Sequence, residues 1–116
     1  MAQRGSTSVQ TLAAQAAGTV AGTAFSFDND GGVNLAVVVN VTAITGTTPT
    51  ADVKIQWSND NVNWFDAETP DAFTQITTVK GAAKVFTVKA AFARSSVTVA
   101  GTTPAVTGTV SFYPTR

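Results

Sequence analysis

Val33–Ile44 reads VNLAVVVNVTAI, and Ala51–Ser58, after six intervening residues, reads ADVKIQWS. In the first stretch Leu35, Val37, Val39 and Val41 recur at every second position, the period of a strand whose side chains alternate between two faces. Its other face, Ala36, Val38, Asn40 and Thr42, is mixed rather than cleanly polar. In the second stretch Val53, Ile55 and Trp57 point one way and Asp52, Lys54 and Gln56 the other. Trp57 shares its face with Val53 and Ile55, which assigns it to the core. Two strands with apolar sides, joined by Thr45-Gly46-Thr47-Thr48-Pro49, make the chain all-β.

The rest of the sequence extends this pattern. Of 116 residues, 20 are Thr, 16 Val and 3 Ile, side chains stiff at χ1 that suit a pleated surface better than a helix. Further strand patterns cover Gly22–Phe27, Val62–Ala67, Phe73–Val79, Lys84–Phe92, Ser96–Ala100 and Ala105–Tyr113. Runs of turn formers, Asp28-Asn29-Asp30-Gly31-Gly32 and Ser58-Asn59-Asp60-Asn61, separate them. About eight short antiparallel strands at regular spacing predict a single β-sandwich, with a jelly roll the preferred topology. The joining motif returns 55 positions later as Ala100-Gly101-Thr102-Thr103-Pro104. One hairpin connection used twice is the plainer reading of that echo. Two facing sheets of similar build is the sharper one.

The first 24 residues differ in composition, being rich in Ala, Thr, Gln, Gly and Ser. Gln10, Gln15, Gly18 and Thr19 interrupt any apolar centre that a signal peptide would need. Residues 1–24 read as an N-terminal arm, extended or partly helical over Val9–Ala17, and residues 25–116 as the sandwich domain. Leu12 and Val20 are the arm's candidate anchors on a neighbouring subunit. No stretch approaches the roughly 18 apolar residues that span a bilayer.

Composition narrows the chemistry. Seven basic and seven acidic residues cancel, and charged residues make up 12% of the chain. Nucleic acid and anionic membranes both need clustered Lys and Arg, so neither is an expected partner. With so little charge to oppose it, self-association is expected. There is no Cys and no His. Thiolate chemistry is excluded, together with the commonest general base and the commonest zinc ligand. The acidic residues Asp28, Asp30, Asp52, Asp60, Asp66, Glu68 and Asp71 fall mostly in turns, where carboxylates are solvated and ordinary. The two oxygen-rich turns invite a structural calcium, but neither carries the Glu that closes a calcium loop. No cofactor, metal or catalytic residue is assigned, and an enzyme is not expected. Trp64 and Phe65 are adjacent and must face opposite sides of a strand, so Trp64 is a candidate contact residue.

The run from Val39 to Asp66, with Gly-Thr-Thr-Pro followed by ADVKIQWSNDNVNW, is joined further on by Phe73-Thr74-Gln75-Ile76-Thr77 and Val97–Pro104. These elements resemble the small all-β decoration, or cement, proteins of tailed bacteriophages, over about residues 33 to 113. The second Gly-Thr-x-Pro element and the Ser-x-Asp-x-x-x-Trp turn carry most of the likeness. One departure is Asn61, where Gly more often follows the Asp. The resemblance implies a non-enzymatic virion protein on the outer capsid surface, bound to the major capsid protein, often as trimers around local symmetry axes. Such a protein locks adjacent capsid subunits against internal DNA pressure. Similar sandwiches serve in phage tails and fibres, so the competing expectation is a carbohydrate- or receptor-binding module that uses Trp64. A tail-tube or head-completion subunit, forming rings, is a third.

Overall fold

The structure, a computed structural model, describes residues 8–27 and 34–115. The oxygen-rich turn at residues 28–32, one of the two calcium candidates, lies outside the described residues. Seven strands are present: β1 (Ser8–Gln15), β2 (Gly18–Ala21), β3 (Phe25–Ser26), β4 (Asn34–Ser58), β5 (Asp71–Ala72), β6 (Lys80–Thr87) and β7 (Phe92–Thr115). Every pairing among them is antiparallel.

Two strands are far longer than the runs read from sequence, β4 with 25 residues and β7 with 24. Extended at about 3.3 Å per residue, β4 alone would span roughly 80 Å. The longest dimension of the molecule is 45 Å. The paired strands must therefore fold over together. The register shows where: its shifts fall between Val41 and Ala43, Thr45 and Thr47, and Thr47 and Thr50.

The fold-over makes two sheets. The first contains, in order, β6, residues 34–45 of β4, residues 105–115 of β7, and β1. The second contains β5, residues 50–58 of β4, residues 92–100 of β7, and then β2 and β3 in succession along that strand. Taking each half of β4 and β7 as a strand, and β2 with β3 as one, gives eight strands in chain order. The sheets then run 6-3-8-1 and 5-4-7-2, which is jelly-roll connectivity with antiparallel neighbours throughout. The chain is a β-sandwich.

The repeated motif forms the corner. Thr47 lies opposite Thr102, its counterpart 55 residues on. The flanking pairs Thr45–Ala105 and Thr50–Ala100 exchange under the same offset, so a local two-fold axis passes through the crossing. Gly46 and Gly101 have φ of 115° and 125°. A Cβ on Gly46 would stand 2.8 Å from the Thr103 carbonyl oxygen, and one on Gly101 would stand 2.9 Å from Pro49 Cα. Each glycine lets the other motif's backbone pass. Thr48 and Thr103 both sit at φ 46°, a left-handed conformation costly for a β-branched residue. The hairpin reading of the echo is corrected: each copy carries one strand from the first sheet to the second, or back.

Residues 8–21, assigned by sequence to the arm, are strands of the sandwich, and the helix over Val9–Ala17 does not form. In β1, Gln10 and Leu12 turn inward while Val9 and Thr11 face out, and β7 supplies the backbone partners from Ser111 to Gly108. Long-range pairing overrides helix propensity there. Val62–Ala67 is a loop with one bridge, Trp57 to Phe65. The strand pattern at Phe73–Val79 reduces to a bridge between Ala51 and Ile76, beside β5. The one assigned to Lys84–Phe92 lies earlier, as β6.

The core is the space between the sheets. Leu35, Val37, Val39, Val41, Val106, Val110 and Phe112 fill it from the first sheet, and Val53, Ile55, Trp57, Val97 and Val99 from the second. Full burial of each such side chain is worth about 1.5–3 kcal/mol. Both open sides are stitched by polar groups. Gln10 on β1 donates from Nε2 to the Val20 carbonyl at 3.3 Å and accepts the Ser95 hydroxyl, reaching the second sheet. On the far side Lys84 Nζ donates to the Ala72 carbonyl at 2.8 Å.

Candidate functional site

The outer face of the second sheet and the loop above it hold most of the described charged residues. Asp52, Lys54 and Gln56 alternate outward along β4, opposite Thr98, Ser96 and Arg94 of β7. The loop grows from Ser58, which is buried at the end of β4. Its hydroxyl accepts from the amides of Asp60 at 3.2 Å and Asn61 at 2.9 Å, and donates to Asp60 Oδ1 at 3.0 Å. Asp60 Oδ1 also accepts the amides of Val62 and Asn63, both at 2.9 Å, and Oδ2 accepts the Asn63 side-chain amide at 2.9 Å. These donors, led by the Asn63 and Val62 amides, hold the Asp60 carboxyl well below the usual carboxylate range. Asn61 takes φ 61°, the left-handed position that the commoner Gly would fill and that Asn tolerates.

The turn thus spends its carboxylate on its own backbone. Both Asp60 oxygens face N–H and O–H donors, which is not the arrangement of a cation ligand. Among the described residues no three acidic side chains gather around a common point.

Past the turn the chain crosses back over the sheet. Trp57 and Phe65 exchange backbone hydrogen bonds of 2.9 Å, which fixes the loop's return. Val62 is left 74% exposed and Phe65 63%, at the top of a braced loop. Trp64 is half-buried, with the Arg94 guanidinium 4.5 Å from its ring centroid. Arg94 Nε donates to Gln56 Oε1 at 2.9 Å, and Lys54 meets Asp66 at 3.0 Å. Gln75 Nε2 donates to Asp52 at 3.1 Å. One face of the Trp64 ring is therefore covered by Arg94.

The sequence-nominated residues separate. Trp64 is on this surface. Leu12 lies in the core, and Val20 packs against it while pairing with Val97. Both of those side chains are engaged within their own chain, and neither is near Trp64's loop. Trp57 is buried as its alternation implied, and its Nε1 donates to Asp71 at 2.9 Å. Lys89 pairs with the same carboxylate at 2.8 Å and stands 5.4 Å from the Trp57 ring centroid. Nothing in the sequence around Asp71 signalled this pairing, because its partners lie 14 and 18 residues away on other elements. The exposed pair Val62 and Phe65 was also missed. Val62–Ala67 had read as a strand, which would have buried one face of it.

No family model matches the chain, and no curated protein matches it. Two solved structures are similar in outline. One is the Eiger TNF of S. frugiperda, at TM-score 0.44 and 13% identity, covering 95% of this chain and 93% of that one. The other comes from the disulfide-linked pili of Bacillus endospore appendages, at TM-score 0.35 and 18% identity, covering 95% and 83%. The fold assignment rests on strand register and core, and these similarities add nothing to it about function.

Proposed function

We propose that the chain is a non-enzymatic structural protein of a tailed-bacteriophage virion, one that binds the outer capsid surface and stabilises the head. The observation that carries the reading is the braced loop. A jelly-roll frame and a turn locked by Asp60 hold Val62 and Phe65 out in water, a preorganised apolar contact that loses little entropy on docking. Around it the charged residues are already paired with one another, as in Lys54–Asp66 and Lys89–Asp71. That leaves shape and apolar area to make the contact. Weak single contacts suffice on a repeating lattice, where multivalency raises avidity by orders of magnitude. The major capsid protein is the proposed partner, with the chain present as a homo-oligomer, a trimer if the phage resemblance holds.

Quantitative mass spectrometry of purified virions tests this. A copy number within a few-fold of the major capsid protein is expected. A ratio of a few per cent would move the protein to the tail or fibre, and absence from the particle would overturn the virion reading. The second reading, a carbohydrate- or receptor-binding module, draws on Trp64 with Arg94, Gln56 and Asp66 beside it. It requires the Trp fluorescence to respond to a glycan panel.

A further inference from the structure

The outer face of the first sheet is the opposite of the loop-bearing one. Register places Val85, Ala36 and Tyr113 in one row across three strands, and Ala83, Val38, Ser111 and Val9 in the next row across four. A third row is Gly81, Asn40, Thr109 and Thr11. None of these eleven residues carries a charge. Val9, Val38, Val85 and Tyr113 are between 36% and 64% exposed. Lys80 and Lys84 of the same edge strand take the alternate positions, opposite the inward-facing Val41 and Val37.

We propose that this face packs against the same face of a second copy of the chain. Three observations select that occupant. A face without charge needs no opposite charge across the interface, so it complements itself under a two-fold axis. The chain's net charge is zero, so copies do not repel at long range. The area is also sufficient. Four strands about 4.8 Å apart and eight residues long give a footprint of roughly 500 Å² per copy, or on the order of 1,000 Å² for the pair. That is the lower bound of specific interfaces, and it makes the pairing concentration-dependent. The inference stands apart from the capsid reading, and a two-fold pair is distinct from the trimer that the phage resemblance implies.

Light-scattering mass of the purified full chain, measured from micromolar to millimolar concentration, tests it. The mass is expected to rise from 11.9 kDa towards twice that value. Val38→Lys and Val85→Lys, made separately, should each hold it at the single-chain mass with an unchanged far-UV spectrum. Val79→Lys, exposed but outside the face, should pair like the natural chain. Should Val38→Lys fail to fold, Val85→Lys on the edge strand still reads the interface. A single-chain mass at every concentration would overturn the proposal. So would a three-chain mass, or pairing that survives both lysines. Retention of purified heads by the natural chain but not by Val38→Lys, with no pairing in solution, would assign the face to the capsid protein instead.

Discussion

The two sheets have the same frame and turn different chemistry to solvent. Each is built on one half of β4 paired with one half of β7, each lines the core with alternating apolar residues, and a copy of Gly-Thr-Thr-Pro leads from each to the other. Outside, the second sheet carries Asp52, Lys54 and Arg94 beneath a braced loop, while the three central rows of the first carry no charge at all. The inner faces are alike because one core imposes one requirement, close packing of apolar volume. The outer faces are free of that requirement, so their difference is a record of what each meets. In this account the loop-bearing side meets a foreign surface, and the neutral side meets another copy.

The largest expected effect breaks the frame itself. Removing residues 2–24 strips β1, β2 and the inward-facing Gln10 and Leu12, leaving both halves of β7 without outer partners. Burial of Leu12 and the strand pairing together amount to a large fraction of the roughly 5–15 kcal/mol that stabilises a domain. The truncated chain should be unfolded by far-UV circular dichroism at 25 °C. A folded product would mean that the sandwich closes without them.

Next comes the crossing. Gly46→Ala and Gly101→Ala each set a Cβ against the other motif's backbone at positive φ, and each should cost about 2–3 kcal/mol in urea unfolding. Because the two glycines meet at one crossing, the double variant should cost measurably less than the two effects added. Strict additivity would contradict a shared corner.

Much of this frame was legible. The period-two alternation at Leu35–Val41 and Val53–Trp57 identified the core side of β4, and the repeated motif marked the corner, because both depend on residues close in sequence. What escaped reading depends on partners far away. β1 and β2 are Ala-, Thr- and Gln-rich and become strands only because β7 offers them an edge. Ser58–Asn61 was recognisable as a turn, yet the bracing of its carboxylate by Asn63 and Val62 is geometry that composition does not encode. The exposure of Val62 and Phe65 follows from that bracing, so it was hidden with it.

Smaller effects sharpen the contrast between the sheets. Trp57→Phe removes the donor to Asp71 and one neighbour of Lys89, and should cost about 1–2 kcal/mol in thermal or urea unfolding. Loss of less than a few tenths would mean that Lys89 alone satisfies the carboxylate. The smallest effect concerns the loop. Since Asp60's carboxyl is depressed in the folded chain, its contribution is complete above about pH 4 and is lost as pH falls through the depressed value. The Val62 and Asn63 amide resonances should hold steady through pH 4 and move only in strong acid. In Asp60→Asn they should exchange with solvent faster at neutral pH, with the unfolding midpoint little changed. A shift centred near pH 4 would show that the bracing is absent in solution.

The measurement that bears most directly on the division of labour between the two faces is co-sedimentation with purified heads, using two variants side by side. Val62→Ser/Phe65→Ser should remain folded and pair normally but fail to sediment with the heads, while Val38→Lys should sediment with them. Undiminished sedimentation of the loop variant, or loss confined to Val38→Lys, would contradict the assignment of the braced loop to the capsid.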